Sequence, residues 1–171
     1  MLKLEYLIYI YISLCFCMMI FNVFYIIYNR TTEKSSEKEK NKLTKKMSEQ
    51  INLIKNNFEV TAKHRRYLYN KLKRIHNLMI FQRFIDKQDE RLKEDYLENI
   101  KYVFYDLAIY YKKSDSIKKA YFAYIVGKYR FFYDIENKTI IKTLDIFLED
   151  ESLYCRDDSL KAIIKYGNTE D

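Results

Sequence analysis

The sequence predicts an all-α protein with a single N-terminal transmembrane helix, an amphipathic, coiled-coil-like linker helix and a short array of helix pairs. Three observations predict it. No charged side chain occurs from Tyr6 to Asn29, and a dense block of Lys and Glu follows directly. The chain of 171 residues has no Pro and only two Gly, Gly127 and Gly167, whereas strand-rich folds need turn residues at frequent intervals. Past the apolar run, apolar residues recur at the three–four spacing of an amphipathic helix. Ile and Tyr are abundant and locally favour strands, but that spacing overrules them.

Residues 1–29 form the anchor. A helix from Tyr6 to Asn29 rises about 36 Å, against a hydrocarbon core of roughly 30 Å. Tyr6, Tyr9 and Tyr11 near one end and Tyr25 and Tyr28 near the other suit the headgroup level, where amphipathic rings collect. A cleavable signal peptide has a shorter apolar stretch and a small-residue cleavage site; this run ends in Ile26-Ile27-Tyr28-Asn29-Arg30. Cys15 follows Leu14 and Cys17 follows Phe16, so neither sits behind the small residue that a lipoprotein site needs. A buried core helix rarely runs this long without a charge. The positive charges before the run are only Lys3 and the amino terminus, whereas Arg30, Lys34, Lys38, Lys40, Lys42, Lys45 and Lys46 follow it. The positive side stays in the cytoplasm, so the expectation is a single-pass protein with a cytoplasmic C-terminal domain. Cys155 is the lone thiol beyond the anchor and builds no disulfide framework.

Residues 30–87 are a basic tether and amphipathic helix, with sixteen Lys/Arg against six Asp/Glu. Thr31 to Lys46 is strongly polar. From Met47 an apolar seam appears: Met47, Ile54, Leu68 and Ile75 in one register, Ile51, Phe58, Leu72 and Met79 in another. Thr61 and Arg65 interrupt it. The favoured reading is an amphipathic helix, broken near Thr61, whose stripe packs on the following domain. The other is a parallel coiled-coil stalk that makes the protein a homodimer. Lys63, Arg65, Arg66, Lys71, Lys73 and Arg74 are the candidate basic patch. Their order of readings is a solvated helix face, then anionic lipid, then an acidic protein surface, then nucleic acid.

Residues 88–171 are mildly acidic and hold short helices. Asp89-Glu90 marks a helix start, followed by the stripe Leu92, Tyr96, Ile100, Val103, Phe104, Leu107 and Tyr111. Ser114-Asp115-Ser116 caps the next helix, from Ile117 to Phe132. Its Ala120, Ala123 and Gly127 share a face that allows another helix to approach closely. A break at Asp134–Asn137 precedes a third helix through Ile140, Leu144 and Phe147, and Glu149–Ser152 breaks again before the last. Ala123 and Ala162 are thirty-nine residues apart, and in that register Ala120 matches Ser159 and Ile125 matches Ile164. This predicts a helix-pair repeat of about forty residues.

Cys155-Arg156-Asp157-Asp158-Ser159-Leu160-Lys161-Ala162-Ile163-Ile164-Lys165-Tyr166-Gly167 resembles the first helix of a bacterial HEAT-like repeat. Such helices carry an apolar residue plus Arg, small residues three apart, an apolar pair and a closing Gly. Ile117 to Tyr129 resembles a degenerate earlier copy, with Lys where Arg is usual. The resemblance covers residues 89–171. It implies structural roles for Ala120, Ala123, Arg156, Ser159, Ala162 and Gly167, with Arg156 bridging to an acidic residue of a neighbour. The family pattern continues where this sequence ends at Asp171, so the resemblance implies an incomplete last repeat, in a fragment or a prematurely ended gene product.

No sequence pattern points to catalysis. There is no Gly-rich phosphate loop, G-x-S-x-G, H-E-x-x-H or C-x-x-C. His64 and His76 read as surface residues on a basic helix. The run Asp145, Glu149, Asp150, Glu151, Asp157, Asp158 lacks the spacing of a calcium loop. No cofactor or metal is expected. The expected function is a scaffold that binds a protein partner at the membrane, accessory to a membrane enzyme or envelope-assembly complex. A tethered basic module for anionic lipid or nucleic acid, using residues 63–87, is the alternative.

Overall fold

A computed structural model describes residues 4–129 and 139–167. Among them there are seven helices: α1 Leu4–Lys55, α2 Ala62–Leu72, α3 Ile75–Ile85, α4 Glu90–Tyr111, α5 Ser116–Tyr129, α6 Thr139–Leu148 and α7 Leu153–Gly167. No strand occurs among the described residues. The chain divides into two compact units, Met1–Lys42 and Leu43–Asp171. The expected break at 134–137 lies outside the described residues, as do Phe132 and the chain end past Gly167.

In the first unit, large apolar side chains from Tyr6 to Tyr28 are exposed around the helix. A helix apolar all round with nothing packed on it is unfavourable in water. This is one helix long and apolar enough to cross a membrane.

The second unit begins inside α1. Leu43, Met47 and Ile51 are buried at i, i+4, i+8 and join the domain core together with Leu68 and Leu72 of α2. The seam therefore packs inside its own domain. It is not one helix. α1 ends in a Schellman motif: Phe58 N–H donates to Leu53 O at 3.0 Å, Asn57 N–H to Ile54 O at 2.8 Å, and Asn57 sits at φ 61°. Asn tolerates that left-handed geometry better than most residues. Phe58, placed in the seam by its spacing, is 65% exposed as a result. Thr61 is the N-cap of α2, accepting from His64 N–H at 3.3 Å. Gln50 on α1 accepts from Thr61 N–H at 3.0 Å, which ties the turn back to the helix before it.

The α4 stripe is buried as its spacing predicts, with Tyr96, Ile100, Phe104, Leu107 and Tyr111 inside. Rings link three helices. Phe81 of α3 lies 5.6 Å from Phe104 of α4, and Phe122 of α5 stacks at 4.8 Å on Tyr111. Tyr111 O–H also donates to Leu72 O at 2.6 Å, satisfying a carbonyl that the end of α2 leaves open. Asp115 caps α5, accepting from Lys118 N–H at 3.0 Å. The most extensive helix contact in the domain is α5 on α7.

Candidate functional site

The α5–α7 seam begins with small residues. Ala123, Ser159 and Ala162 are fully buried or nearly so, and Ala120 is 8% exposed. A β-carbon built on Gly127 meets Cα and Cβ of Ala162 at 2.9 Å, closer than real side chains approach. Ser159 returns its hydroxyl to Cys155 O at 2.7 Å, so it adds no unsatisfied donor to the interface. Gly167 is the last residue of α7.

The turn between α6 and α7 is fixed to α5 by charge. Lys119 Nζ donates to Asp150 Oδ2 at 2.8 Å, and the Asp150 side chain is only 5% exposed. Ser152 N–H donates to the other carboxylate oxygen at 3.0 Å. The Lys119 bond first, then a bond from Ser116, holds the Asp150 carboxyl down at about 2. Arg156 does not form the acid bridge that the resemblance implies. Its Nη1 donates to the main-chain carbonyls of Asp150 and Glu151, at 3.1 and 3.4 Å. The carboxylate of Asp150 is already engaged by Lys119, and the turn presents its carbonyls toward the start of α7.

Close packing at one edge of α5 opens a groove at another. Ile75 and Met79 of α3, Ile117, Ala120, Tyr121 and Tyr124 of α5, and Ser152, Tyr154 and Asp158 beside and on α7 line a space of about 570 Å³. Its walls are mostly apolar and open to water, with Ile117 75% and Tyr154 80% exposed. Among the described residues of the lining Asp158 is the one carboxylate, and burial pushes its carboxyl up from the ordinary value. Such a surface offers shape, apolar area and a few hydroxyls. Among the described residues no three His, Cys, Asp or Glu converge to hold a metal ion.

The basic cluster is divided by the fold. Arg65 is half-buried, donating from Nη2 to Val60 O at 3.0 Å and from Nη1 to Asn99 O at 3.5 Å. Lys73 lies over the rings of Tyr69 and Tyr110, at 4.0 and 5.2 Å. Lys71 is half-buried; Lys63, Arg66 and Arg74 are exposed. His64 is not a surface residue, in contrast to the sequence reading. It is 5% exposed, and its Nε2 lies 2.9 Å from Tyr96 O–H. Burial first, and the charge of Lys46 second, lower its pKa to about 4. His76 is exposed on α3. Cys155 is fully buried, and burial pushes its thiol up to about 11.

Comparison with protein-family models, with curated proteins and with solved structures finds no match. The groove and the apolar helix therefore stand on their own chemistry.

Proposed function

We propose that this chain is a membrane-anchored scaffold whose helical domain faces the cytoplasm and binds a protein partner in the groove between α3, α5 and α7. The carrying observation is the groove itself. It gathers Ile117, Tyr121, Tyr124 and Tyr154 on one open face. Contiguous exposed apolar surface of this kind marks interaction sites in soluble domains. The apolar segment of α1 supports the anchor, and the excess of Lys and Arg after it supports the cytoplasmic side. Anchoring raises the effective concentration of a membrane-borne partner at the groove. A membrane enzyme or an envelope-assembly complex is the partner class.

The seam of small residues supports reading α5 and α7 as equivalent helices of successive HEAT-like repeats. Ala123 and Ala162 match in the register, and Gly127 meets Ala162. Fold alone does not choose the partner. The basic module ranks lower, because Arg65 and Lys73 are engaged within the domain.

Site-specific photocrosslinking in cells tests the reading. A photoreactive residue at Ile117 or Tyr154 of the full chain yields one discrete protein adduct, and the same group at Tyr102, exposed on α4, does not. Ile117→Lys removes the adduct formed from position 154. Equal adducts at all three positions, or none at 117 and 154, would sink the groove as a docking site.

A further inference from the structure

The groove between α3, α5 and α7 contains a charge that the fold does not answer. Among the described residues of the helical domain, Asp150 and Asp158 are the acidic residues that are not exposed. Asp150 is met by Lys119 Nζ at 2.8 Å and by Ser152 N–H at 3.0 Å. The Asp158 carboxylate has no ion pair or hydrogen bond among the described residues. Lys161, one turn further along α7, gives its ammonium to Asp157 at 2.5 Å. Burial, the larger effect, holds the Asp158 carboxyl above its ordinary value even with the Lys161 charge nearby. Around this one carboxylate the lining is apolar and aromatic, with Ile75, Met79, Ile117, Tyr121, Tyr124 and Tyr154. A half-buried charge without a partner costs free energy that a complementary ligand recovers.

We propose that the groove takes an amphipathic helix of the partner protein that sets one arginine among apolar side chains, the guanidinium on Asp158 and the apolar residues on Met79, Ile117 and Tyr154. The inference rests on the groove being the docking site, and it gives the partner a chemistry. Three helices wall the groove, and no strand among the described residues offers it an edge. An extended segment leaves its main-chain N–H and C=O groups unpaired there, whereas a helix pairs its own and inserts only side chains. Tyr154 precedes Asp158 by four residues on α7, so ring and carboxylate share a face. A guanidinium pairs with a carboxylate and also lies well against such a ring. An ammonium is more strongly hydrated and loses more on entering apolar walls. Acidic segments and anionic headgroups meet Asp158 with like charge. Cytoplasmic segments of membrane proteins are rich in Arg and Lys, which suits a partner borne by the same membrane.

The test uses the full chain in detergent. The probe is a displayed library of amphipathic helical peptides whose binding face varies among apolar, acidic, basic and amide residues. Peptides are kept when they bind the parent chain and not Ile117→Lys. They are expected to share an Arg at one position of an otherwise apolar face. Replacing that Arg by Gln weakens binding to the parent chain about tenfold and leaves binding to Asp158→Asn unchanged. Asp158→Arg reverses the preference, toward the peptide with Glu in place of its Arg. A melting midpoint for Asp158→Asn no lower than the parent's shows that the domain is intact. Groove-bound peptides with no fixed cation overturn the proposal, as does an Arg preference that Asp158→Asn leaves in place. Self-association of the chain that Ile117→Lys abolishes assigns the groove to a second copy and overturns it too. A library that yields no peptide released by Ile117→Lys defeats the groove reading itself, and this inference with it.

Discussion

Gly127 and Ala162 set the distance between α5 and α7: a β-carbon at 127 meets both Cα and Cβ of Ala162 at 2.9 Å. One of those atoms is backbone, so the neighbour cannot swing away. Gly127→Ala gains helix propensity of about 1 kcal/mol. Overpacking a close contact costs about 1–3 kcal/mol. The clash wins, and the variant is expected to unfold at lower denaturant than the parent chain in the same detergent. Gly127→Val unfolds lower still. An unchanged or raised midpoint for Gly127→Ala contradicts the close approach.

Asp150 carries the second prediction. Its carboxyl is held at about 2 in the fold, below its ordinary 3.8, by Lys119 and then Ser116. The fold binds the ionised form, so this stabilisation is complete above the ordinary value and is lost as pH falls from about 4 toward 2. Its size is on the order of 1–2 kcal/mol. Asp150→Asn is expected to lower stability at neutral pH and to flatten the acid limb. Parent and variant melting curves that stay parallel from pH 6 to pH 2 contradict it.

His64 acts in a different window. The fold favours the neutral ring, with the pKa lowered from 6.5 to about 4 by burial and then by Lys46. No stability is lost above pH 6.5. Between 6.5 and about 4 the unfolded chain takes up the proton first, and stability falls by something on the order of 2–3 kcal/mol. His64→Phe removes that dependence and also breaks the contact with Tyr96. Thermal melts of both proteins between pH 7 and pH 4 measure it, and an equally steep fall in the variant contradicts the buried neutral ring.

Cys155 is expected to be inert. A thiol raised from 9.0 to about 11 has roughly a hundredfold less thiolate at neutral pH, and its burial adds a steric block. In a Cys15→Ser, Cys17→Ser background, maleimide labelling stays slow in the folded protein and becomes rapid in denaturant. Fast labelling of the folded chain contradicts the placement of Cys155 inside the domain.

Local signals were the legible ones. Asp115 caps α5 from a Ser-Asp-Ser turn, and the α4 stripe is buried in the register its spacing gives. The face of Ala120, Ala123 and Gly127 announced a close helix contact because small side chains on one face let a neighbouring backbone approach. The turn after α1 was harder. The heptad spacing runs across it and counts Phe58 as a core position, whereas Asn57 ends the helix in the left-handed geometry and leaves Phe58 exposed. His64, Arg65 and Lys73 were not legible as partly buried groups. Their partners Tyr96, Asn99 and Tyr110 lie more than thirty residues away in the chain, so only the folded domain brings them together. Arg156 took carbonyls in place of an acid because Lys119, on a helix far back in sequence, reaches Asp150 first.

Protease protection in sealed vesicles tests the central claim most directly, that the apolar part of α1 crosses a membrane and leaves the helical domain on the cytoplasmic side. With the cytoplasmic face outward, protease is expected to digest the domain and leave a protected fragment of roughly thirty residues that contains Tyr6 to Tyr28. With that face inward, the chain stays intact. A domain cut only from the opposite side, or no protected fragment in either preparation, contradicts the account.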